Sequence, residues 1–353
     1  MKIHVWIRGE TRTTEQRAPI VPDDARALVA AGCAVTVEDS PQRVFPIEDY
    51  AEAGCRIVTA GSWVDAPPDT FVIGLKELPD QPAALAHRHV FFGHVYKGQP
   101  GAEQLLRRFT AGGGTLLDLE YLVDEHGRRL AAFGFWAGYL GAALAVLHHG
   151  GLLSPPLRPM SRDGLDEALR QVSGGDLPEV LVVGALGRSG RGARAALEVA
   201  GIAPTCWDLA ETRELDRAAL LGHDVLVNAA LSTGPAEPLL RPADLADPAR
   251  RLSVVGDVSC DVGGPYNLLP VYDHTTSWEH PVRRLGTGSP PLDVIAIDNL
   301  PSLLAVEASV DFSRDLLPHL LTLGTDAPQW RQCAGFFHTA VEASADTGVI
   351  GRG

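Results

Sequence analysis

The chain has 353 residues, 45% of them hydrophobic and 21% charged, a composition that fills sizeable cores and excludes a disordered chain, at a length that favours two domains. With 30 basic against 44 acidic side chains the formal charge is −14, which leaves no broad basic surface for a nucleic-acid backbone or an anionic membrane. Cys33, Cys55, Cys206, Cys260 and Cys333 are scattered, with no CxxC pair; this points to reduced thiols in a cytoplasm and against a disulfide framework or a structural zinc, and no metal site is expected. The first eleven residues have no apolar run after their one lysine and read as a strand, so no secretory signal is expected.

The first third alternates apolar strands with amphipathic helices. Strands are expected at residues 3–7 and 34–37, with a helix at 23–31 closed by Gly32 between them. Further buried strands are expected at 71–75, 90–92 and 115–117, with a helix at 102–111 before the last. This βαβ order predicts a parallel sheet covered by helices, with reactive groups on the loops after the strand ends. Residues 130–147 carry no formal charge over eighteen positions, the lower limit for a membrane span. Their glycines and their isolation in the chain favour a short strand at 130–133 followed by a buried helix at 135–147, so no membrane association is expected. Residues 150–178, rich in Gly, Pro, Ser and charge, read as a surface excursion without chemistry. Alternation restarts with strands at 179–183, 205–207, 224–228, 252–258 and 294–297. The tail around Trp330, Phe336 and Phe337 is helical in pattern and too short for a third domain, so it is expected to pack back on the first.

The expected fold is therefore α/β: two Rossmann-like domains whose parallel sheets flank a central cleft. One comprises residues 1–132 with 305–353, for substrate and catalysis; the other comprises 133–304, for the cofactor. Closure of the cleft is expected about hinges near Phe133 and Leu304.

Directly after the strand at 180–183 stand Gly184, Gly187 and Gly190, followed by an alanine-rich helix. Glycines at this spacing let the backbone approach a pyrophosphate, and the free N–H groups at the helix start hold its charge. Asp208, twenty-four residues beyond Gly184 and at the end of the next strand, suits the adenosine ribose hydroxyls and favours NAD over NADP. Arg213 either softens that preference or is a solvated charge at a helix start.

Three polar clusters follow strands of the first sheet: Arg8, Gly9, Glu10, Thr11 and Arg12 with Arg17; Lys76 and Glu77; His94, Tyr96 and Lys97. A lysine at a buried strand end can handle a proton where burial disfavours its charge, and histidine is the side chain whose ordinary titration lies near neutrality. Taken singly, Lys76 reads as well as a surface charge paired to Glu77, and His94 as a satisfied core histidine; their joint occurrence with a nucleotide loop turns the reading to catalysis. Arg17, Arg128 and Arg129 suit bidentate capture of carboxylates, although Arg128 and Arg129 could equally mark a solvated turn. Glu120 is placed to hold an ammonium or to orient His94.

Seven strings carry a family resemblance: RGET and EQRAPIVP within 8–22, VEDSPQRVFPIEDYAEAGCRIVTAGSW at 37–63, IGLKELP at 73–79, HVYKGQPG at 94–101, GRRLAAFGFWAGYLGAALA at 127–145, GALGRSGRGA at 184–193 and AIDNLPSLLAVEAS at 296–309. Over residues 3–320 the chain resembles the NAD-dependent, L-lysine-forming saccharopine dehydrogenases, and more distantly the alanine dehydrogenases and transhydrogenases. The resemblance implies oxidative cleavage of saccharopine with NAD and water to lysine, 2-oxoglutarate and NADH. It implies Lys76 as acceptor of the amine proton and His94 as the group that activates water. Arg17, Glu77, Lys97, Glu120, Arg128, Arg129 and Phe133 are the implied substrate-site residues. Gly184, Gly187, Arg188, Ser189, Asp208, Arg213, Leu231, Val258, Asp298 and Leu300 are the implied cofactor contacts. Ser189 and Ala229 stand where fungal members carry cysteines, so that redox pair is absent. Nothing in the sequence compels more than a monomer, the state common among family members. Two other readings stay open: an opine-type dehydrogenase for another N-(carboxyalkyl) amino acid, and an alanine dehydrogenase-like enzyme acting on a primary amine.

Overall fold

The computed structural model describes residues 3–346 apart from 97, 98, 100, 173, 175 and 233. The chain divides into two compact units, Met1–Ala132 with Ala308–Gly353, and Phe133–Glu307. The first unit opens with β1 (His4–Ile7), α1 (Pro22–Ala30), β2 (Ala34–Glu38), α2 (Ile47–Glu52), β3 (Arg56–Val58), β4 (Phe71–Ile73), β5 (Arg88–Phe91), α3 (Ala102–Gly112) and β6 (Thr115–Asp118). All six strands are parallel, in the order β3-β2-β1-β4-β5-β6. The strands are short apolar runs because a parallel sheet is covered on both faces.

The second unit holds α4 (Gly134–His149), α5 (Arg162–Val172), β7 (Val180–Val183), α6 (Arg188–Val199), β8 (Thr205–Trp207), α7 (Leu209–Arg213), α8 (Arg217–Leu221), β9 (Val225–Asn228), β10 (Val254–Asp257), β11 (Arg283–Leu285) and β12 (Leu292–Ile295). Its sheet runs β11-β12-β10-β9-β7-β8, parallel except for the edge strand β11, which pairs antiparallel with β12. The core under this sheet joins Leu181, Leu226, Val255 and Val294 from four adjacent strands. Then α9 (Ala305–Leu320) and α10 (Pro328–Asp346) return the chain to the first unit. There α9 buries Ala308, Phe312, Leu316 and Leu320 at helical spacing, and its Ser309 and Ser313 hydroxyls accept the N–H groups of Ala18 and Val21 at 2.9 and 3.0 Å. In α10 the ring of Phe337 meets Phe109 edge-on at 5.6 Å, so the tail does cover the first sheet.

Several expectations need correction. Residues 130–133 are not a strand: the Leu130 N–H is taken by Leu122 O at 2.9 Å in a turn closed by the Val123–Arg129 bridge, and the chain bends from there into α4. The excursion after α4 is not featureless. It contains α5, whose Leu165, Asp166, Leu169 and Val172 are buried, and the Tyr139 hydroxyl of α4 donates to Asp166. The sequence reading did not include α2, β3 or the antiparallel β11. Among the described residues no helix is long and apolar enough to cross a membrane.

Candidate active site

In the first unit the connections after β1 and β4 leave the sheet in opposite directions, which opens a crevice at the strand ends between them, the usual ligand position in open α/β sheets. Lys76 stands on that rim. The ladder continues past β4, with Gly74 N–H donating to Val90 O at 3.0 Å and Phe92 N–H to Leu75 O at 3.2 Å, so Lys76 is the first residue free of it and is half-buried. From the end of β1, the Glu10 carboxylate accepts the N–H groups of Leu75 and Lys76 at 2.7 and 3.0 Å. Arg8, 1% exposed, pairs with Glu10 at 3.3 Å and donates to the Lys76 carbonyl. Burial raises the Glu77 carboxyl, but the Arg12 hydrogen bond at 2.5 Å, a backbone hydrogen bond and the Arg12 and Lys76 charges together outweigh it and hold the group below the usual carboxylate range. Arg17 lies in the β1–α1 connection, where its Nε and Nη2 donate to the two Glu15 oxygens at 2.7 and 2.6 Å, both side chains being buried.

His94 follows β5, the neighbour of β4. Its φ of 51° turns the chain sharply at the rim, and its ring stacks on Phe92 at 6.3 Å. The Nδ1 atom lies 3.0 Å from Glu120 Oε2, and Arg129 Nη2 approaches the other Glu120 oxygen at 3.5 Å. A carboxylate at Nδ1 accepts a hydrogen bond from the Nδ1–H, which keeps the proton on that nitrogen and leaves Nε2 as the basic atom, the arrangement a general base needs. Asp118, the last residue of β6, ties the pair down: one oxygen accepts the His94 N–H at 3.0 Å and the other the Glu120 N–H at 2.9 Å. Burial pushes the Asp118 carboxyl up, partly offset by the backbone N–H bonds it accepts. Burial likewise pushes the Cys333 thiol up, so it stays a neutral donor to the Asp118 carbonyl at 3.2 Å.

In the second unit the strand–glycine turn–helix stands as the spacing predicts. Gly184 has φ +78°, and a β-carbon there would press on the Ala229 main chain at 2.9 Å; Gly187 caps the twelve-residue α6. The positive φ and the close approach to Ala229 make glycine the fitting residue at 184 and keep the turn tight in front of the helix N–H groups. Asp208 caps α7 through the Leu209 N–H at 2.9 Å and accepts the Leu186 N–H at 3.0 Å, which ties the acid to the glycine turn. A cavity of about 520 Å³ lies beside them, lined by Gly184, Asp208, Arg213, Leu231, Glu237 and Leu268 among others. The loop is aimed by helix packing: α6 lies against α4 so closely that a β-carbon on Gly138 would sit 1.8 Å from Ser189 O, and one on Gly192 would sit 1.8 Å from Phe135 O.

The structure therefore gathers Lys76, Glu77, His94, Glu120 and Arg129 on the ends of β4, β5 and β6, and Gly184, Asp208, Arg213 and Leu231 around one cavity, with Gly187, Arg188 and Ser189 at the start of α6. It does not place all candidates there. Arg128, its side chain 75% exposed, folds back on Asp124 at 2.8 Å in a turn. Phe133 belongs to the second unit, at the N-cap of α4. Val258 and Leu300 pack on α4 at Gly141, away from the cavity lining, and Asp298 is exposed next to them. Lys97 lies outside the described residues. Two supports were missed. Asp118 ends an apolar strand two residues before Glu120, a signal the sequence does carry. Asp257, which accepts from Asn228 at 3.0 Å, Ser259 Oγ at 2.7 Å and the Tyr272 hydroxyl at 2.5 Å, fixes the turn after β10.

The alanine dehydrogenase/PNT N-terminal domain family matches residues 6–140, and the alanine dehydrogenase/PNT C-terminal domain family matches residues 168–337. The chain is 42% identical over 355 residues to a saccharopine dehydrogenase [NAD(+), L-lysine-forming] of Neurospora crassa, covering 95% of each chain. It is 41% identical over 369 residues to the enzyme of the same name from Emericella nidulans, covering 97% of this chain and 98% of that one. Among solved structures it is similar to an L-alanine dehydrogenase, with a TM-score of 0.68 at 17% identity, covering 96% of this chain and 94% of that one.

Proposed function

Because the chain belongs to the family of NAD(+)-dependent, L-lysine-forming saccharopine dehydrogenases, built from the two alanine dehydrogenase/PNT domains, we propose that it catalyses the reversible oxidative cleavage of saccharopine to L-lysine and 2-oxoglutarate with NAD and water. The observation that carries this reading is identity near 40% along almost the whole of both chains to relatives of that activity. An alanine dehydrogenase-like reading rests only on a shared fold at 17% identity and is not favoured.

Proton handling belongs to the first unit. Neutral Lys76 takes the proton of the secondary amine as the adjacent carbon loses a hydride, which leaves an imine. His94, its Nδ1 held by Glu120, then takes a proton from water as the oxygen adds to the imine carbon, and the carbinolamine collapses to 2-oxoglutarate and the lysine amine, to which the stored proton returns. Arg129 supplies a guanidinium fork for a substrate carboxylate, Arg17, its Nε and Nη2 engaged by Glu15, belongs to the same proposed substrate set, and Glu77 places a negative charge beside Lys76. Arg128, Lys97 and Phe133 complete the proposed substrate set.

Cofactor binding belongs to the second unit. The glycine cradle, the open start of α6 and the cavity at Asp208 fit a dinucleotide, with Gly184, Gly187, Arg188 and Ser189 at the pyrophosphate and Asp208, Arg213 and Leu231 at the adenosine end. Val258, Asp298 and Leu300 complete the proposed set. NAD, when bound, supplies a hydride acceptor. The free cysteines suit a cytoplasmic enzyme, and a monomer acting on small molecules meets every requirement of this reading. Steady-state assay of NADH formation tests it: saccharopine with NAD is expected to turn over, as is lysine with 2-oxoglutarate and NADH in reverse. Turnover of alanine with silence on saccharopine would refute the assignment.

A further inference from the structure

We infer that the Arg8–Glu10 ion pair is a positioning device for Lys76, gripping its backbone from both sides so that the amine-bearing side chain leaves the rim in one direction. The inference rests on the reading of Lys76 as the proton acceptor and deepens it. The contacts are specific to the peptide units around Lys76. Glu10 accepts the N–H of Lys76 at 3.0 Å and that of Leu75 at 2.7 Å, while Arg8 donates to the Lys76 carbonyl. The pair is closed on itself at 3.3 Å, with side-chain exposures of 1% for Arg8 and 4% for Glu10, so neither group is placed to meet substrate.

The chain is shaped to admit the guanidinium. A β-carbon on Gly74 would lie 2.4 to 2.6 Å from Arg8 Nε, Cζ and Nη2, so a glycine two residues before Lys76 is what lets Arg8 lie flat against the strand end. Arg8 also faces the Phe91 ring at 5.8 Å, and its own N–H donates to Ile73 O at 3.0 Å, which extends the β1–β4 pairing to this residue. The loop that carries Glu10 is itself held from outside, because Gln42 donates to the Glu10 carbonyl at 2.6 Å and the Glu38 carboxylate takes the Gly9 N–H at 2.8 Å. The two peptide units that flank the Lys76 α-carbon, just beyond the β4 ladder, would otherwise be free to rotate. A carboxylate on the N–H of the first and a guanidinium on the C=O of the second remove that freedom with two charge-assisted bonds. The pair is internally neutral, so it orients Lys76 without imposing a net charge on it.

Three variants test the inference. Glu10→Gln keeps the shape but loses one acceptor and the negative charge. Gly74→Ala displaces Arg8 with no change of charge. Lys76→Met is the control for the underlying reading. Substrate KM, kcat, the pH profile of kcat and NADH binding are measured for each on the full chain, with thermal unfolding to establish folding. Glu10→Gln and Gly74→Ala are expected to lower kcat about 10- to 100-fold with KM and NADH affinity within about threefold. The acidic limb of the pH profile for saccharopine oxidation, where neutral Lys76 is required, is expected to move to lower pH in Glu10→Gln, where Arg8 is left uncompensated, and to stay in place in Gly74→Ala. Folded variants with wild-type kcat, or a loss confined to KM, would overturn the inference alone. A Lys76→Met protein with full turnover would overturn the catalytic reading and the inference with it. Should Gly74→Ala fail to fold, Arg8→Lys, which keeps the charge and one donor, is expected to restore part of the kcat lost in Arg8→Ala; equal losses in both would overturn the inference.

Discussion

The contact between α4 and α6 offers the sharpest test of how the fold aims the cofactor loop. In Gly138→Ala the new methyl group would lie 1.8 Å from the Ser189 carbonyl oxygen, a main-chain atom in the first turn of α6 that no rotamer change can move. An ordinary contact begins near 3.4 Å, so the helices must separate locally by about 1.6 Å, carrying the Gly187–Gly190 turn with them. Overpacking of this kind costs about 1–3 kcal/mol, which in a unit of this size lowers Tm by roughly 2–12 °C. The displacement also shifts the N–H groups proposed to hold the pyrophosphate, so the NADH dissociation constant is expected to rise about tenfold or more, equivalent to about 1.4 kcal/mol. Calorimetry and NADH fluorescence titration measure the two effects. Gly335→Ala in α10 is the matched control: its β-carbon meets nothing within 4 Å, and alanine there is expected to stabilise by about 0.5–1 kcal/mol. Wild-type Tm and NADH affinity in Gly138→Ala would refute the claim that backbone-to-backbone packing aims the loop.

Three further outcomes are expected. Asp118→Asn offers one acceptor where Asp118 offers two, so kcat should fall about tenfold or more through loss of the His94 or Glu120 anchor. Because burial raises the folded-state pKa of Asp118, its contribution to stability is full below the unfolded value of about 3.9 and is lost as pH rises through the folded value. The Asn variant should lack that decline in a Tm-against-pH series. Asp293 behaves oppositely: burial opposes its ionisation, but bonds from Arg284 and His148, the latter at 2.9 Å, hold its carboxyl below the usual range. Its contribution is present above about pH 3.9 and lost as pH falls through the lower folded value, so Arg284→Ala should destabilise at neutrality and much less near pH 2 in a denaturation series. Tyr139→Phe removes the donor to the buried Asp166 that joins α4 to α5 and is expected to cost about 1–3 kcal/mol in chemical denaturation; an unchanged midpoint would show that α5 docks without it.

The resemblance to the saccharopine dehydrogenases was readable from the strings themselves and is upheld by the comparisons. The alternation of apolar strands and helices was readable too, as was the strand–GxxGxxG–helix turn, because each depends on neighbours a few residues apart: a buried parallel strand needs a short apolar run, and a cradle for phosphate needs glycines at fixed spacing. That Lys76, His94 and Glu120 follow three successive strands was visible for the same reason. What lay outside the reach of sequence depends on pairing across the chain. The Arg-Arg-Leu of β11 has no strand signal of its own and exists because β12 offers it an edge. The helix α5 hides in a polar stretch until α4 and α6 give its Leu165 and Leu169 something to cover. Arg8 and Glu10 were legible as part of a polar cluster after the first strand, but their pairing and their burial against Lys76 were not, and Asp118 carried no reading of its own. Only the adjacency of β5 with β6 and of β1 with β4 removes them from water, and a desolvated charge must then spend its hydrogen bonds on the backbone it is buried against, which here carries the reactive side chains.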